Sequence, residues 1–143
     1  MNEMERAHRR LAAATGPFQQ LVGYHSYLEP DLAVRVELDI GEQHLSQYGF
    51  GHGGVTLTLL DTAGGLAVLA QAPDAARIAT ISLAANFVRG LEAGRAVATG
   101  RLDYLGGTVA HASMELRAEC AEGVLLATAR AAYRIFRGQG AGV

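Results

Sequence analysis

One stretch of the chain, residues 46–65 with the sequence SQYGFGHGGVTLTLLDTAGG, combines residue types that could catalyse a reaction. Closely spaced glycines are followed by an apolar run of helical length that carries one carboxylate, Asp61. Free N–H groups and the helix dipole at the start of such a helix favour developing negative charge. The stretch therefore predicts an anion-stabilising helix N-terminus, with an acid about two turns further along the same helix.

Asp61 needs a physical explanation, because the helix predicted from Val55 onward is apolar on most faces and should be buried. Burying a lone carboxylate costs several kcal/mol unless it is paired, hydrogen-bonded or protonated. Two interpretations follow from the residues alone. Asp61 is either a structural residue bonded to Thr58 or Thr62, or a functional residue that lines a cavity.

Length, net charge and cysteine count limit the kinds of protein that this chain can be. The 143 residues fit one domain, 1–143, with a core over about residues 21–136. A net charge of −2 gives no electrostatic case for nucleic acid. Cys120 is the only cysteine, so we expect no internal disulfide, no zinc site and a reducing, cytoplasmic location.

Two further features of the sequence bear on the location of the protein, namely its N-terminus and its long apolar run. Charges are scattered over the first ten residues and no apolar segment follows them, which argues against a signal peptide. The apolar run over residues 55–72 contains Asp61 and two glycines, so we expect a buried helix rather than a membrane span. His25, His44 and His111 have no partners at a diagnostic spacing and are expected at the surface or at an interface.

Hydrophobic periodicity and turn residues predict the order of elements. They indicate a short helix over residues 4–14, strands over 21–28 and 32–40, the long helix up to Pro73, strands over 77–89, 96–105, 108–118 and 124–136, and a frayed tail over 137–143. A long apolar helix needs a sheet curled around it. The order therefore predicts an α+β hotdog fold, with a six-stranded antiparallel sheet wrapped around one central helix.

The strand after the long helix has two different faces. Alternation predicts that Ile81, Leu83, Ala85 and Phe87 face the core. The other face is small, polar and uncharged, which suits a subunit contact or a ligand groove; its members are Thr80, Ser82, Ala84, Asn86 and Val88.

The chain resembles the hotdog-fold thioesterases of the phenylacetic-acid-degradation type. The resemblance covers roughly residues 21–136. It rests on the run GFGHGG at residues 49–54, on Asp61 nine positions after His52, and on the strand TISLAANFVRG at residues 80–90.

The resemblance implies a catalytic set. Asp61 would activate water or attack directly at the carbonyl carbon of an acyl thioester. The Gly53 N–H would stabilise the oxyanion, and His52 would order the turn near the thioester. Thr80, contributed by the neighbouring subunit, would help to hold the water.

The resemblance also implies an acyl-CoA substrate and a homo-oligomer, at least a dimer and commonly a tetramer. No metal or cofactor is expected, since coenzyme A belongs to the substrate. Ser46 departs from the family, which commonly has Asn or Gln there, and the adjacent Gln47 could supply an amide instead. The expected substrate-binding residues are Ser46, Gln47, Gly54, Thr62, Asn86 and Arg89.

Two other functions stay open from the sequence. The departure at Ser46 motivates a non-catalytic acyl-CoA binding or sensing protein that keeps the fold. A hotdog hydratase or dehydratase is a third possibility, although those proteins resemble a different Asp and His pattern.

Overall fold

A computed structural model describes residues 1–138, except for the side chain of Ala76. In chain order its elements are α1 (Glu3–Ala13), α2 (Pro17–Val22), β1 (His25–Leu28), β2 (Val34–Ile40), a 3₁₀ turn (Glu42–His44), α3 (Gly53–Gln71), β3 (Ala75–Phe87), β4 (Gly94–Leu105), β5 (Val109–Ala118) and β6 (Leu125–Arg137). The predicted order of the long helix and six strands is confirmed.

The six strands form one sheet in the order β1-β2-β4-β5-β6-β3, and every pair is antiparallel. The concave side of the sheet holds α3, whose buried residues are Thr56, Leu59, Leu60, Ala63, Gly64, Ala67, Val68 and Ala70. This is the predicted hotdog fold. By length and composition α3 could cross a membrane, but here it is the central helix packed against the sheet.

Glycines allow the sheet and α3 to come very close together just after Asp61. A Cβ atom on Gly100 of β4 would lie 2.7 Å from the Gly64 nitrogen and still closer to the Ala63 carbonyl. Real side chains do not tolerate such contacts with backbone. Gly100 therefore fixes the depth at which the part of α3 that carries Asp61 packs against the sheet.

Strand β2 shows the predicted alternation, with Val34, Val36, Leu38 and Ile40 buried. The predicted strand over residues 21–28 is wrong in its first half, because residues 17–22 form α2. Pro17 opens that helix at a position that needs no N–H donor, and Gly23 closes it in the left-handed region with φ 94°. Only residues 25–28 pair as β1.

The predicted frayed tail begins too early. Arg137 is the last residue of β6, and its guanidinium donates to the carbonyl oxygens of Gly107 (3.0 Å), Gly106 (3.4 Å) and Pro73. These bonds tie the end of β6 to the neighbouring turns. The rest of that prediction, residues 139–143, lies outside the described part of the chain.

Strand β3 lies at one edge of the sheet, and its predicted faces are only partly correct. Leu83 and Ala85 pack against the core, but Ile81 is 55% exposed and Phe87 is 56% exposed. The pairing of β3 with β6 slips between Thr80 and Ser82, which leaves Ile81 without a partner. This β-bulge shifts the alternation by one residue, so Thr80 faces α3.

Candidate active site

Asp61 receives two hydroxyl donors from the sheet. Its Oδ1 accepts from Thr80 Oγ1 at 2.8 Å and lies 3.2 Å from the Tyr133 hydroxyl, which is also 3.0 Å from the Asp61 carbonyl. Oδ2 accepts no hydrogen bond from the residues that the structure describes. The predicted structural partners are wrong, since Thr58 donates to the Gly54 carbonyl instead and Thr62 makes no bond to the carboxylate.

Thr80 and Tyr133 reach Asp61 together because they are cross-strand neighbours in the β3–β6 register. The bulge at Ile81 turns Thr80 toward the helix side of the sheet, where Tyr133 already points. The prediction that the neighbouring subunit supplies Thr80 is therefore wrong. In this structure the Thr80 hydroxyl holds the carboxylate of its own chain.

Sequence reasoning did not identify the contact between Tyr133 and Asp61. Burial raises the pKa of the Tyr133 phenol far above its usual range, and the adjacent Asp61 carboxylate raises that pKa further. The phenol thus stays protonated and donates its single proton between the Asp61 carbonyl oxygen and Oδ1. Gly64 and Gly65 make room for it, since a Cβ on Gly64 would lie 2.5 Å from the Tyr133 oxygen. Two adjacent glycines inside a helix were the available signal.

The start of α3 has the geometry of an oxyanion site. His52 is the N-cap, and its Nδ1 accepts a hydrogen bond from the Gly54 N–H at 2.8 Å. A neutral His52 ring consequently carries its proton on Nε2. The Gly53 N–H donates to none of the described residues, whereas the Gly54 N–H, predicted to bind substrate, is already used by His52.

The loop before α3 is anchored by His44, which was predicted to lie at the surface or at an interface and is instead buried within its own chain. The side chain is 5% exposed. Its Nδ1 accepts from the Gly41 N–H at 2.9 Å, and its Nε2 lies 2.7 Å from the Val22 carbonyl. The His44 carbonyl in turn accepts from the His52 N–H at 2.8 Å. His44 therefore fixes the position of the N-cap.

Ser46 and Gln47 lie in the same loop. The Ser46 oxygen accepts from the Tyr48 N–H at 3.2 Å, which closes a tight local turn. Gln47 is exposed and its side chain bonds to none of the residues in 1–138. The structure therefore places Ser46 in a structural turn near the helix start and leaves the amide of Gln47 available.

A cavity of about 460 Å³ adjoins Asp61. It is lined by α1, α3, β3 and one residue of β6, namely Arg10, Ala13, Ala14, Asp61, Thr62, Gly65, Leu66, Leu69, Ala75, Arg77, Ile78, Thr80 and Tyr133. The carboxylate, the Thr80 hydroxyl and the Tyr133 hydroxyl thus meet an open space large enough for a small acyl group.

The two predicted catalytic groups lie too far apart to act together within one chain. Asp61 follows Gly53 by eight residues in the same helix, which corresponds to about 12 Å along the axis. An oxyanion donor and a base must both lie within about 3 Å of the reacting atoms. Gly53 and Asp61 could therefore serve one carbonyl only if they come from two copies of the chain.

The other two expected substrate contacts lie away from Asp61. Asn86 is exposed opposite Thr128 on the outer face of the sheet. Arg89 follows β3 at the end where α3 begins, and its Nη1 donates to the Leu125 carbonyl at 3.3 Å. Within residues 1–138 no three His, Cys, Asp or Glu side chains cluster as metal ligands.

Comparison with known proteins identifies relatives. A family model described as the thioesterase superfamily matches residues 48–124. A candidate esterase of Halobacterium salinarum is 35% identical over 105 residues, which cover 66% of this chain and 69% of that protein. The PaaI protein from the phenylacetic acid degradation operon of Escherichia coli superposes with a TM-score of 0.85 at 18% identity, covering 96% of this chain and 98% of that one.

A thioesterase family protein from Silicibacter pomeroyi superposes with a TM-score of 0.83 at 22% identity, and the match covers 96% of this chain and 100% of that chain. At these identities the two structural matches establish the fold. The family-model match and the similarity to the Halobacterium protein establish by sequence that the chain is related to thioesterases.

Proposed function

The chain belongs to the thioesterase superfamily, and on that basis we propose that it hydrolyses acyl-coenzyme A thioesters to a free acid and coenzyme A. The predicted resemblance to hotdog thioesterases is confirmed. The choice of acyl-coenzyme A as substrate and the roles given to individual residues are our proposal. We also place the protein in the cytoplasm and assign it no metal or cofactor.

The proposal rests on the way in which the two oxygens of the Asp61 carboxylate are bonded. One oxygen is held by two hydroxyl donors, and the other accepts no bond from the described residues while the side chain lines the cavity. Asp61 is half-buried and its Oδ2 is not a buried atom, so water in the cavity can reach this oxygen. The free oxygen is placed to accept a proton from water or to attack a carbonyl carbon directly.

Catalysis then needs an oxyanion donor from elsewhere. We assign this role to the Gly53 N–H of a second subunit, because the Gly53 N–H of the same chain lies about 12 Å away along α3. A preorganised N–H donor at a helix start contributes about 2.7 to 4 kcal/mol to lowering the barrier. The Nε2–H of His52 beside it supplies a further donor to the thioester.

The edge of β3 offers a way to bring the two halves together. Gly53 lies beside Phe87, since a Cβ on it would be 3.9 Å from that ring. Asp61 lies beside Thr80, at the other end of the strand. In a two-fold dimer that pairs β3 with β3, Thr80 of one subunit can lie opposite Phe87 of the other. Each Asp61 then approaches the partner's Gly53.

Exposed apolar side chains surround this edge, which supports its use as a subunit contact. They are Phe50 (47% exposed), Leu57 (39%), Ile81 (55%), Phe87 (56%) and Val88 (50%). Several large apolar side chains exposed on neighbouring elements are typical of an interface. We propose a dimer through β3 as the smallest active unit, and pairing of dimers into a tetramer.

The direct test of the function is release of free thiol by the purified protein from a panel of aryl-, short- and medium-chain acyl-CoA substrates. We expect saturable turnover with at least one of them. A folded, dimeric protein that releases no thiol from any member of the panel would rule out the hydrolase proposal.

Binding without turnover is the second candidate function. The observation that favours it is that the Ser46 hydroxyl caps its own turn, so it does not replace the family's amide contact with substrate. Saturable binding of acyl-CoA together with no thiol release would establish this alternative.

Replacing Tyr133 with phenylalanine should lower kcat about tenfold and cost about 1 kcal/mol of stability, because one hydrogen bond to Asp61 is lost. The ring remains in its pocket beside Gly64 and Gly65. Thiol release and thermal unfolding measure the two effects. The control is Tyr104→Phe, since Tyr104 is 56% exposed. Equal kcat values for Tyr133→Phe and wild type would remove Tyr133 from the catalytic arrangement.

A further inference from the structure

The far end of the Asp61 cavity is marked by an arginine. Arg10 of α1 is half-buried, and its Nε donates to the Leu69 carbonyl at 2.9 Å while Nη2 donates to the Ala70 carbonyl. These carbonyls belong to the last turn of α3, where a cation is favourable. Nη1 donates to no acceptor within residues 1–138. Arg10 thus keeps three of its five N–H groups, two of them on Nη1, for another partner.

The charges along the cavity are unequal at its two ends. Among the described residues, Asp61 is the only acidic one that lines the cavity. Leu69, whose carbonyl accepts a hydrogen bond from Arg10, follows Asp61 by eight residues, or about 12 Å along α3. No carboxylate of the described chain pairs with Arg10. Arg77 also lines the cavity, but its guanidinium lies over the Phe136 ring at 4.1 Å. Neither arginine has a carboxylate partner among the described residues, but Arg77 is stacked on an aromatic ring, whereas Arg10 is held at the end of α3 by hydrogen bonds.

The wall between the two ends is apolar. It is formed mainly by Ala13, Ala14, Gly65, Leu66, Leu69 and Ile78. An acyl group whose thioester lies at Asp61 would run along this wall toward Arg10, with methylene groups against the aliphatic side chains. Its last atoms would reach the unoccupied edge of the guanidinium.

We propose that Arg10 binds a carboxylate at the distal end of the acyl group. The preferred substrates would then be ω-carboxyacyl thioesters, the coenzyme A half-esters of medium-length dicarboxylic acids. This inference rests on the proposed function and deepens it. A half-buried guanidinium favours a carboxylate over a neutral acceptor, because a charge-assisted bond also supplies the missing counter-ion.

The test compares substrates of equal length that differ only at the distal end. Adipoyl-CoA is paired with hexanoyl-CoA, and suberoyl-CoA with octanoyl-CoA. For at least one pair we expect wild-type kcat/KM to favour the carboxylated member by about tenfold to a hundredfold, the usual effect of a charge-assisted hydrogen bond. Arg10→Met should abolish the preference. The matched control, Arg9→Met, alters an exposed neighbour outside the cavity and should keep it.

Arg10 also holds α1 against the end of α3, so its loss could slow every substrate alike. The preference ratio separates the two roles, since a structural defect lowers both members of a pair equally. Dissociation constants of the four thioesters for the Asp61→Asn protein give the same ratio without turnover. Turnover with no preference for carboxylated substrates would overturn the role of Arg10 and leave the hydrolase intact. A binding preference for the carboxylated thioesters without turnover would support the role of Arg10 and overturn the hydrolase proposal. Absence of both turnover and binding preference would overturn the two proposals together.

Discussion

Asp61→Asn should lower kcat for acyl-CoA hydrolysis by about 10²- to 10⁴-fold, the range expected when a general base is removed. The amide oxygen can still accept the bonds from Thr80 and Tyr133, so the protein should keep its fold. It has no basic oxygen to accept a proton from water or to attack a carbonyl. Steady-state thiol release, together with thermal unfolding, measures this outcome.

The control for this substitution is Asp103→Asn. Asp103 is an exposed carboxylate on β4 that accepts a hydrogen bond from Ser113, so the change removes the same charge away from the cavity. Wild-type turnover by folded Asp61→Asn protein would exclude Asp61 as base or nucleophile.

The proposed oxyanion donor, the Gly53 N–H, is removed by the substitution Gly53→Pro. Gly53 is the first residue of α3, where proline is well tolerated because its missing N–H has no helical partner. His52 has φ −59° and ψ 139°, a conformation allowed before proline. The variant should fold and lose about 10²- to 10³-fold in kcat.

Mixing the two inactive variants tests the shared site directly. In a dimer of one Asp61→Asn chain and one Gly53→Pro chain, the intact Asp61 meets the intact Gly53 at one of the two sites. After subunit exchange at equal concentrations, activity should recover to about a quarter of the wild-type value, because half of the two-fold dimers are mixed. If exchange occurs and activity stays at the level of the separate variants, both groups belong to one chain.

Gly100→Ala should be strongly destabilising for a single added methyl group, at about 3 kcal/mol or a melting temperature lower by about 10 °C. The added Cβ would overlap the backbone of α3 at Ala63 and Gly64. Backbone cannot move aside as a side chain can, so α3 and β4 must separate. Chemical denaturation of the variant measures the loss.

Gly107→Ala is the matched control for Gly100→Ala. Gly107 lies in the turn after β4, and a Cβ there would meet no atom within 4 Å. We expect its stability to differ from wild type by less than about 0.5 kcal/mol. Equal stability of the two variants would show that β4 and α3 are not in close contact at Gly100.

Local patterns predicted most of the fold. The alternation in β2 and the paired glycines after β4 specify strands and turns through near neighbours alone. The prediction failed where one residue breaks the period. The bulge at Ile81 reverses the alternation of the residues that precede it. A prediction that assumes uninterrupted alternation along the strand therefore placed Thr80 on the wrong face.

The site was predicted less completely, because its contacts join residues far apart in sequence. Asp61 and His52 were identifiable from their motif, but the Tyr133 hydroxyl reaches Asp61 across 72 positions. The register of β3 against β6 places Tyr133 beside Thr80, and this register cannot be read from local sequence. Likewise, His44 has no neighbouring signal for its bond to the Val22 carbonyl. Such pairings arise from tertiary packing and leave little trace in local periodicity.

The first helix gives the molecule a route to new specificities. The end of α1 forms one wall of the cavity through Ala13 and the C-cap residue Ala14. The helix buries only Ala7 and Leu11 in the core and takes no part in the sheet. Residues 13 and 14 can therefore vary in size without disturbing the elements that hold Asp61. A combinatorial library confined to these two positions would sample acyl preference while preserving the catalytic apparatus, and natural descendants of the chain could diverge by the same route.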